Sequence, residues 1–107
     1  MPRFVTIGYG DRAGYDATAP AVRDAAHRHD EALIDGGAMM GAAGAPVQVR
    51  NQDRAGVRVT EGQFLRAELP VAGFAVIEAD TLEDAVRLVA QTPCAVARGV
   101  VEVWPLT

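Results

Sequence analysis

The most telling absence in this sequence of 107 residues is lysine, because all ten basic residues are arginine. Without lysine the chain cannot form a Schiff base or supply the lysine of a nucleotide-binding phosphate loop. A single cysteine, Cys94, has no partner for an internal disulfide. One cysteine and two histidines are also too few for a typical zinc site. We therefore expect a protein that works without a metal, a flavin or another cofactor.

Basic charge and long apolar runs are also scarce. The net charge of −4 argues against nucleic acid as a partner, because such binding needs a basic face. The short apolar run at the N-terminus is broken by Gly8 and Gly10, so it predicts neither a signal peptide nor a membrane span. No membrane partner is expected, and a cytoplasmic location is the default expectation. The length and the 50% hydrophobic content predict one folded domain over residues 1–107.

Strand and helix patterns alternate along the chain. Alternating apolar residues predict strands at 3–9, 38–40, 47–51, 57–60, 73–79 and 100–104. One predicted helix begins near Pro20 and ends at Gly36–Gly37, and a second is capped by Thr81 and stopped by Pro93. This order predicts an α+β domain of ferredoxin-like topology, βαββαβ with an extra hairpin. Its antiparallel sheet would carry both helices on one face.

Two helices on one face leave the other face of the sheet without cover. An apolar sheet face of several hundred Å² is unusual on a monomer. We therefore expect a homodimer that pairs through the helix-free face of the sheet.

His29 is the strongest candidate for chemistry in the sequence. At 100° per residue it falls in the apolar stripe of the first long helix, with Val22, Ala25, Ala26 and Leu33. A buried imidazole next to small residues can serve as a general acid/base or as a hydrogen-bonded core residue. His27 falls about 160° away from His29 on a helical wheel and is expected at the surface.

Other candidates lie near the predicted ends of strands. Asp11 and Glu61 are carboxylates that can orient an imidazole, or they are ordinary solvated charges. Arg66 can bind an anionic substrate or simply face solvent. Tyr9 and Trp104 can line a ligand pocket, a dimer seam or the core.

Four stretches of the sequence are similar to a known family. They are 9–11, 33–41, 73–85 and 99–105, of which 73–85 (GFAVIEADTLEDA) is the most specific. Over nearly its whole length the chain resembles YCII-related proteins, including those named for a DGPF motif. The resemblance implies a ferredoxin-like fold that pairs into dimeric α+β barrels. It also implies eliminations, dehalogenations or isomerisations of small molecules, performed without a cofactor by a histidine on the first helix.

The chain departs from that family at its signature. Glu61-Gly62-Gln63-Phe64 stands in place of Asp-Gly-Pro-Phe, and Trp104 stands where the family has an arginine. Phe64 therefore joins Tyr9, Arg66 and Trp104 as a candidate for substrate binding, with His29, Asp11 and Glu61 as the candidate catalytic group. Two functions follow. The first is an enzyme that acts on a small metabolite with His29 as general acid/base, and the second is a non-catalytic homodimer that binds a ligand or acts as a regulatory accessory.

Overall fold

A computed structural model describes all 107 residues and contains one four-stranded and one two-stranded antiparallel sheet. The strands are β1 (Arg3–Tyr9), β2 (Met39–Ala42), β3 (Val47–Arg50), β4 (Arg58–Glu61), β5 (Val71–Glu78) and β6 (Val100–Pro105). The helices are α1 (Arg12–Asp16), α2 (Pro20–Asp35), α3 (Leu82–Val89) and α4 (Pro93–Val96), with a short 3₁₀ turn at Gln52–Arg54. The α+β class and the antiparallel sheet predicted from the sequence are confirmed.

The larger sheet has the order β2-β5-β1-β6, and every neighbouring pair is antiparallel. This order, with helices between β1 and β2 and between β5 and β6, is compatible with a ferredoxin-like fold. Hairpin β3–β4 is inserted between β2 and β5 and pairs only with itself. None of the helices is long and apolar enough to cross a membrane.

Alternation along the strands gives the sheet two different faces. Phe4 and Thr6 of β1 are buried on the helix side, together with Ile77 of β5. The main core cluster joins Phe4 and Ile77 to Ala79 and to Ala85 and Val89 of α3. Only 9 of the 107 residues are buried, so the core of the chain is small.

Local signals start the helices. Thr81 caps α3, because its hydroxyl accepts a hydrogen bond from the Asp84 N–H at 3.1 Å. Pro20 is in the first turn of α2, where its missing N–H has no cost. Asp11 caps the short α1 by accepting from the Gly14 N–H at 2.8 Å. No helix was predicted from the sequence in this segment.

The other face of the larger sheet is open and apolar. The pairing register places Val5, Ile7, Phe74, Val76 and Trp104 on this open face. Phe74 and Trp104 are 49% and 57% exposed. The solvent-accessible surface of the chain, 7592 Å², exceeds by about 1,900 Å² the roughly 5,700 Å² expected of a compact monomer of this mass.

Hairpin β3–β4 projects from the rest of the molecule, and we refer to it as the arm. Its register pairs Val49 with Val59 and places Arg50 directly opposite Arg58. No residue from 47 to 61 is buried. The long axis of the chain is 52 Å, and the radius of gyration of 15.7 Å exceeds the roughly 13 Å typical of a domain of this length.

Candidate functional site

A cavity of about 310 Å³ lies between α2 and the helix side of the sheet. Most of its wall is formed by small or apolar residues of β1, β2 and β5 and of the segment around α4. The polar side chains at its wall are His27, Asp30, Cys94, Thr6 and Thr92. A largely apolar cavity with a few convergent polar groups is the usual form of a small-molecule site.

His27 is held in place by Tyr15, which lies just after β1. The Tyr15 hydroxyl and His27 Nε2 share a hydrogen bond of 2.7 Å. The guanidinium of Arg23, one turn earlier in α2, lies 4.8 Å from the centre of the Tyr15 ring, within the range of a cation–π contact. Arg23 is itself 3.8 Å from a carboxylate oxygen of Asp16. These contacts fix the imidazole of a residue that is otherwise exposed.

Asp30 is one turn after His27 and partly buried. Desolvation raises the pKa of its carboxyl group above the ordinary value, against the opposing charges of His27 and His29. A carboxyl group with a raised pKa beside an imidazole in a cavity is typical of a functional site.

We expect Asp30→Asn to change how stability depends on pH. The pKa of Asp30 in the folded protein is higher than its ordinary value of 3.8, which applies to the unfolded chain. The folded state is therefore most stable at a pH below 3.8, and it loses stability as the pH rises through the pKa of the folded protein. The asparagine variant cannot ionise, so this loss disappears. The melting temperature of the variant relative to the parent should therefore increase between pH 4 and pH 7. A constant difference across that range, or a falling one, would contradict the assignment.

Cys94 lies at the floor of the same cavity. Its Sγ packs against Gly8 of β1, where a Cβ atom would lie only 2.9 Å from the sulfur. Burial raises the pKa of the thiol, and the nearby charge of Asp30 raises it further. A thiol held in its neutral form is a weak nucleophile, so Cys94 serves as part of the apolar wall.

A second pocket, of about 360 Å³, adjoins the first. The two share Ala72, Pro93 and Cys94, and the second is also lined by Tyr15 and Asp11. Asp11, a candidate catalytic residue from the sequence, lines this second pocket, but one of its oxygens is engaged in capping α1. The Tyr15–His27 hydrogen bond joins residues from the two pockets.

His29 has a different position from His27. Its Nε2 donates to the backbone carbonyl of Leu88 at 2.6 Å, which ties α2 to α3. The wall of the cavity is formed by His27 and not by His29. The Leu88 carbonyl is among the last of α3 and has no partner within its own helix, so this bond satisfies it.

The remaining predicted site residues lie apart from the cavity. Glu61 is exposed on the arm and Arg66 is exposed after it. No hydrogen bond or ion pair joins His29, Asp11 and Glu61 to one another.

The aromatic candidates lie on the other side of the sheet. Tyr9 is buried on the side of the open face, and its hydroxyl donates to Glu102 at 3.1 Å. Desolvation and this carboxylate raise the pKa of Tyr9. Trp104 is exposed on the same face, and Phe64 lies in a groove beside the arm.

Sequence reasoning missed Tyr15, Asp30 and the role of His27. The available signal was the i, i+3 spacing of His27 and Asp30, which places both on one side of a helix. The sequence matches no protein-family model and no curated protein. The geometry of the cavity is therefore the basis for a functional assignment.

Proposed function

We propose that this chain is a YCII-related protein that acts as a cofactor-independent lyase, isomerase or dehalogenase on a small, largely apolar metabolite. The observation that carries the proposal is the placement of His27 and Asp30 on the wall of the apolar cavity between α2 and the sheet. The sequence pointed to His29 for this role, but the geometry favours His27. The apolar wall suits a cyclic or aromatic substrate.

The chemistry would be proton transfer by the imidazole of His27. In the tautomer that donates Nε2–H to the Tyr15 oxygen, Nδ1 carries the lone pair that accepts a proton from the substrate. Asp30 lies close enough for its charge to be felt by the imidazole, so its ionised form would stabilise the imidazolium produced by the transfer. The same imidazolium can return the proton to the product or to a leaving group.

A second candidate function is a non-catalytic homodimer that binds a ligand or regulates another protein. The small number of polar groups in the cavity favours this alternative, because an apolar ligand can fill it without reacting. Binding without turnover would distinguish this function from catalysis.

The proposed assembly is a homodimer that pairs through the open face of the sheet. The support is the row of apolar side chains on that face and the excess surface of about 1,900 Å². Stable protein interfaces bury roughly 800 Å² on each partner, so the excess is sufficient.

The two histidines provide a matched pair of variants for testing catalysis. The assay is NMR detection of deuterium exchange into a panel of small cyclic ketones, lactones and aromatic acids in D₂O. We expect His27→Gln to lower the exchange rate by about 10²–10⁴-fold, the usual contribution of a general acid/base. His29→Gln should keep the exchange and instead lower the free energy of unfolding by about 1 kcal/mol, because the bond to Leu88 is weakened.

Three other results would count against catalysis by His27. Equal exchange by the His27→Gln variant and the parent would exclude the imidazole. Loss of exchange in a folded His29→Gln variant, with exchange retained by His27→Gln, would identify His29 as the general acid/base. Binding of panel compounds without any exchange would favour the ligand-binding function.

A further inference from the structure

The arm lacks the contacts that would stabilise it within a single protomer. It consists of two strands of four residues each, and none of its residues is buried. Val47, Val49 and Val59 are 57%, 64% and 61% exposed. An isolated two-stranded hairpin is marginally stable at best in water. The arm therefore needs packing contacts that one chain does not supply.

A groove of about 440 Å³ runs along the arm. Four consecutive residues of β3 line it, and no residue of β4 does. The groove therefore lies beside β3, which pairs with β4 along one edge and with no strand along the other. Phe64 and Phe74 contribute aromatic rings to the same groove. A free strand edge beside an apolar groove is a typical receptor for another extended strand.

The exposed surface is large enough for a second copy of this chain to supply the missing contacts. The excess of about 1,900 Å² is more than twice the roughly 800 Å² that each partner buries in a standard interface. The open face alone does not include the arm. A dimer that covers both would account for the excess more fully than a dimer through the open face.

In a face-to-face dimer, the direction of the two-fold axis decides which strand of the partner meets the arm, and an axis parallel to the strands would bring β6 there. A two-fold axis parallel to the strands places the β2 edge of one sheet over the β6 edge of the other. The arm follows β2 directly in the chain, so it lies at that edge. Strand β6 also has a free edge, and it carries the exposed Trp104.

Charge supports the same pairing. Arg50 lines the groove, with its guanidinium 6.0 Å from the centre of the Phe64 ring, and it forms no ion pair within the chain. Glu102 lies two residues before Trp104 on the same face of β6, and it is the only charged residue of that strand. An incoming β6 strand would thus bring an aromatic side chain and a carboxylate to a groove that offers aromatic rings and a guanidinium.

We propose that the arm binds a second copy of this chain. The groove along β3 would receive the β6 edge and Trp104 of the partner subunit. This inference rests on the proposed homodimer through the open face. It adds a second contact region, which makes the arm a part of the dimer interface.

The test is a designed disulfide across the two copies, in a Cys94→Ala background so that no native thiol interferes. The variant Phe64→Cys/Trp104→Cys places one thiol in the groove and one on β6. The control Thr60→Cys/Trp104→Cys places the first thiol on β4, outside the groove. We expect mild oxidation to convert most of the first variant, and little of the control, to a covalent dimer on a non-reducing gel. Phe64→Cys alone should remain monomeric on that gel.

Light scattering on the reduced proteins tests the dimer through the open face separately from the contact made by the arm. A non-covalent dimer whose Phe64→Cys/Trp104→Cys variant does not cross-link would overturn the role of the arm and leave the open-face dimer standing. A monomeric parent at micromolar concentration would overturn both. Fluorescence of Trp104, the only tryptophan, measures independently whether its ring lies in the groove, in variants that retain it. Val49→Lys places a charge in the groove and should shift the emission to longer wavelength, because Trp104 would become exposed to water. Thr60→Lys lies outside the groove and should leave the emission unchanged, and equal spectra of the two variants would also overturn the arm contact.

Discussion

Phe4→Ala is expected to lower the free energy of unfolding by about 3–5 kcal/mol. Phe4 is 3% exposed and joins Ile77, Ala85 and Val89 in the main core cluster. A core with only nine buried residues has few other contacts to compensate for the cavity left by the ring. Since whole domains are stable by roughly 5–15 kcal/mol, this one change would remove a large part of the total. Urea denaturation followed by circular dichroism measures it.

The control for this experiment is Leu82→Ala. Leu82 begins α3 and is 49% exposed, away from the core cluster. A surface truncation of this kind should change the free energy of unfolding by about 0.5 kcal/mol or less. Similar losses in the two variants would mean that Phe4 is not central to the core. Both proteins should be compared at one concentration, because association adds to apparent stability.

Val76→Lys is expected to convert the proposed dimer to monomers. Val76 lies in the middle of the open face, where its neighbours across the strands are Val5 and Met39. A two-fold interface would bury two new ammonium groups without partners, and uncompensated buried charges cost several kcal/mol each. Each 1.4 kcal/mol is a tenfold change in the dissociation constant, so the constant should rise by at least 10²-fold. Analytical ultracentrifugation over a dilution series gives this value directly.

Val86→Lys is the matched control, since it places the same charge on α3. Val86 is 48% exposed on the helix layer, on the opposite side of the sheet from the open face. This variant should associate as the parent does. If both lysine variants dissociate equally, or if neither does, the open face is not the interface.

The strands and the long helix α2 were the parts of the fold that the sequence predicted most closely. β1 has the predicted bounds, and β5 and β6 differ from prediction by one or two residues. Alternating apolar residues with β-branched side chains make this pattern strong. Helices α1 and α4 were missed for local reasons. Asp11, considered only as a candidate site residue, caps a short helix, and Pro93, taken as the stop of α3, also fits the first turn of α4.

The site was harder to predict because the sequence of α2 does not show clearly which side of the helix faces the sheet. Its predicted inward stripe included Val22 and Ala25, yet both are exposed, while Arg23 and Asp30 are partly buried. Alanine contributes little burial energy, so an alanine-rich helix does not specify strongly which side faces the sheet. In the structure α2 instead packs against α4 and bonds through His29 to the last turn of α3. Such contacts between distant segments are not visible in a local pattern.

The pairing of Arg50 with Arg58 in the arm bears on aggregation. Like charges directly opposite each other destabilise a hairpin, so this pair has a cost in the folded arm. The arm is also the place where short valine-rich strands with free edges would otherwise stack on strands of other molecules and grow into fibrils. Arginines beside such strands act as gatekeepers, because stacked copies would bring rows of guanidinium groups together. The like-charged pair in the arm is thus expected to oppose the stacking of free chains into fibrils.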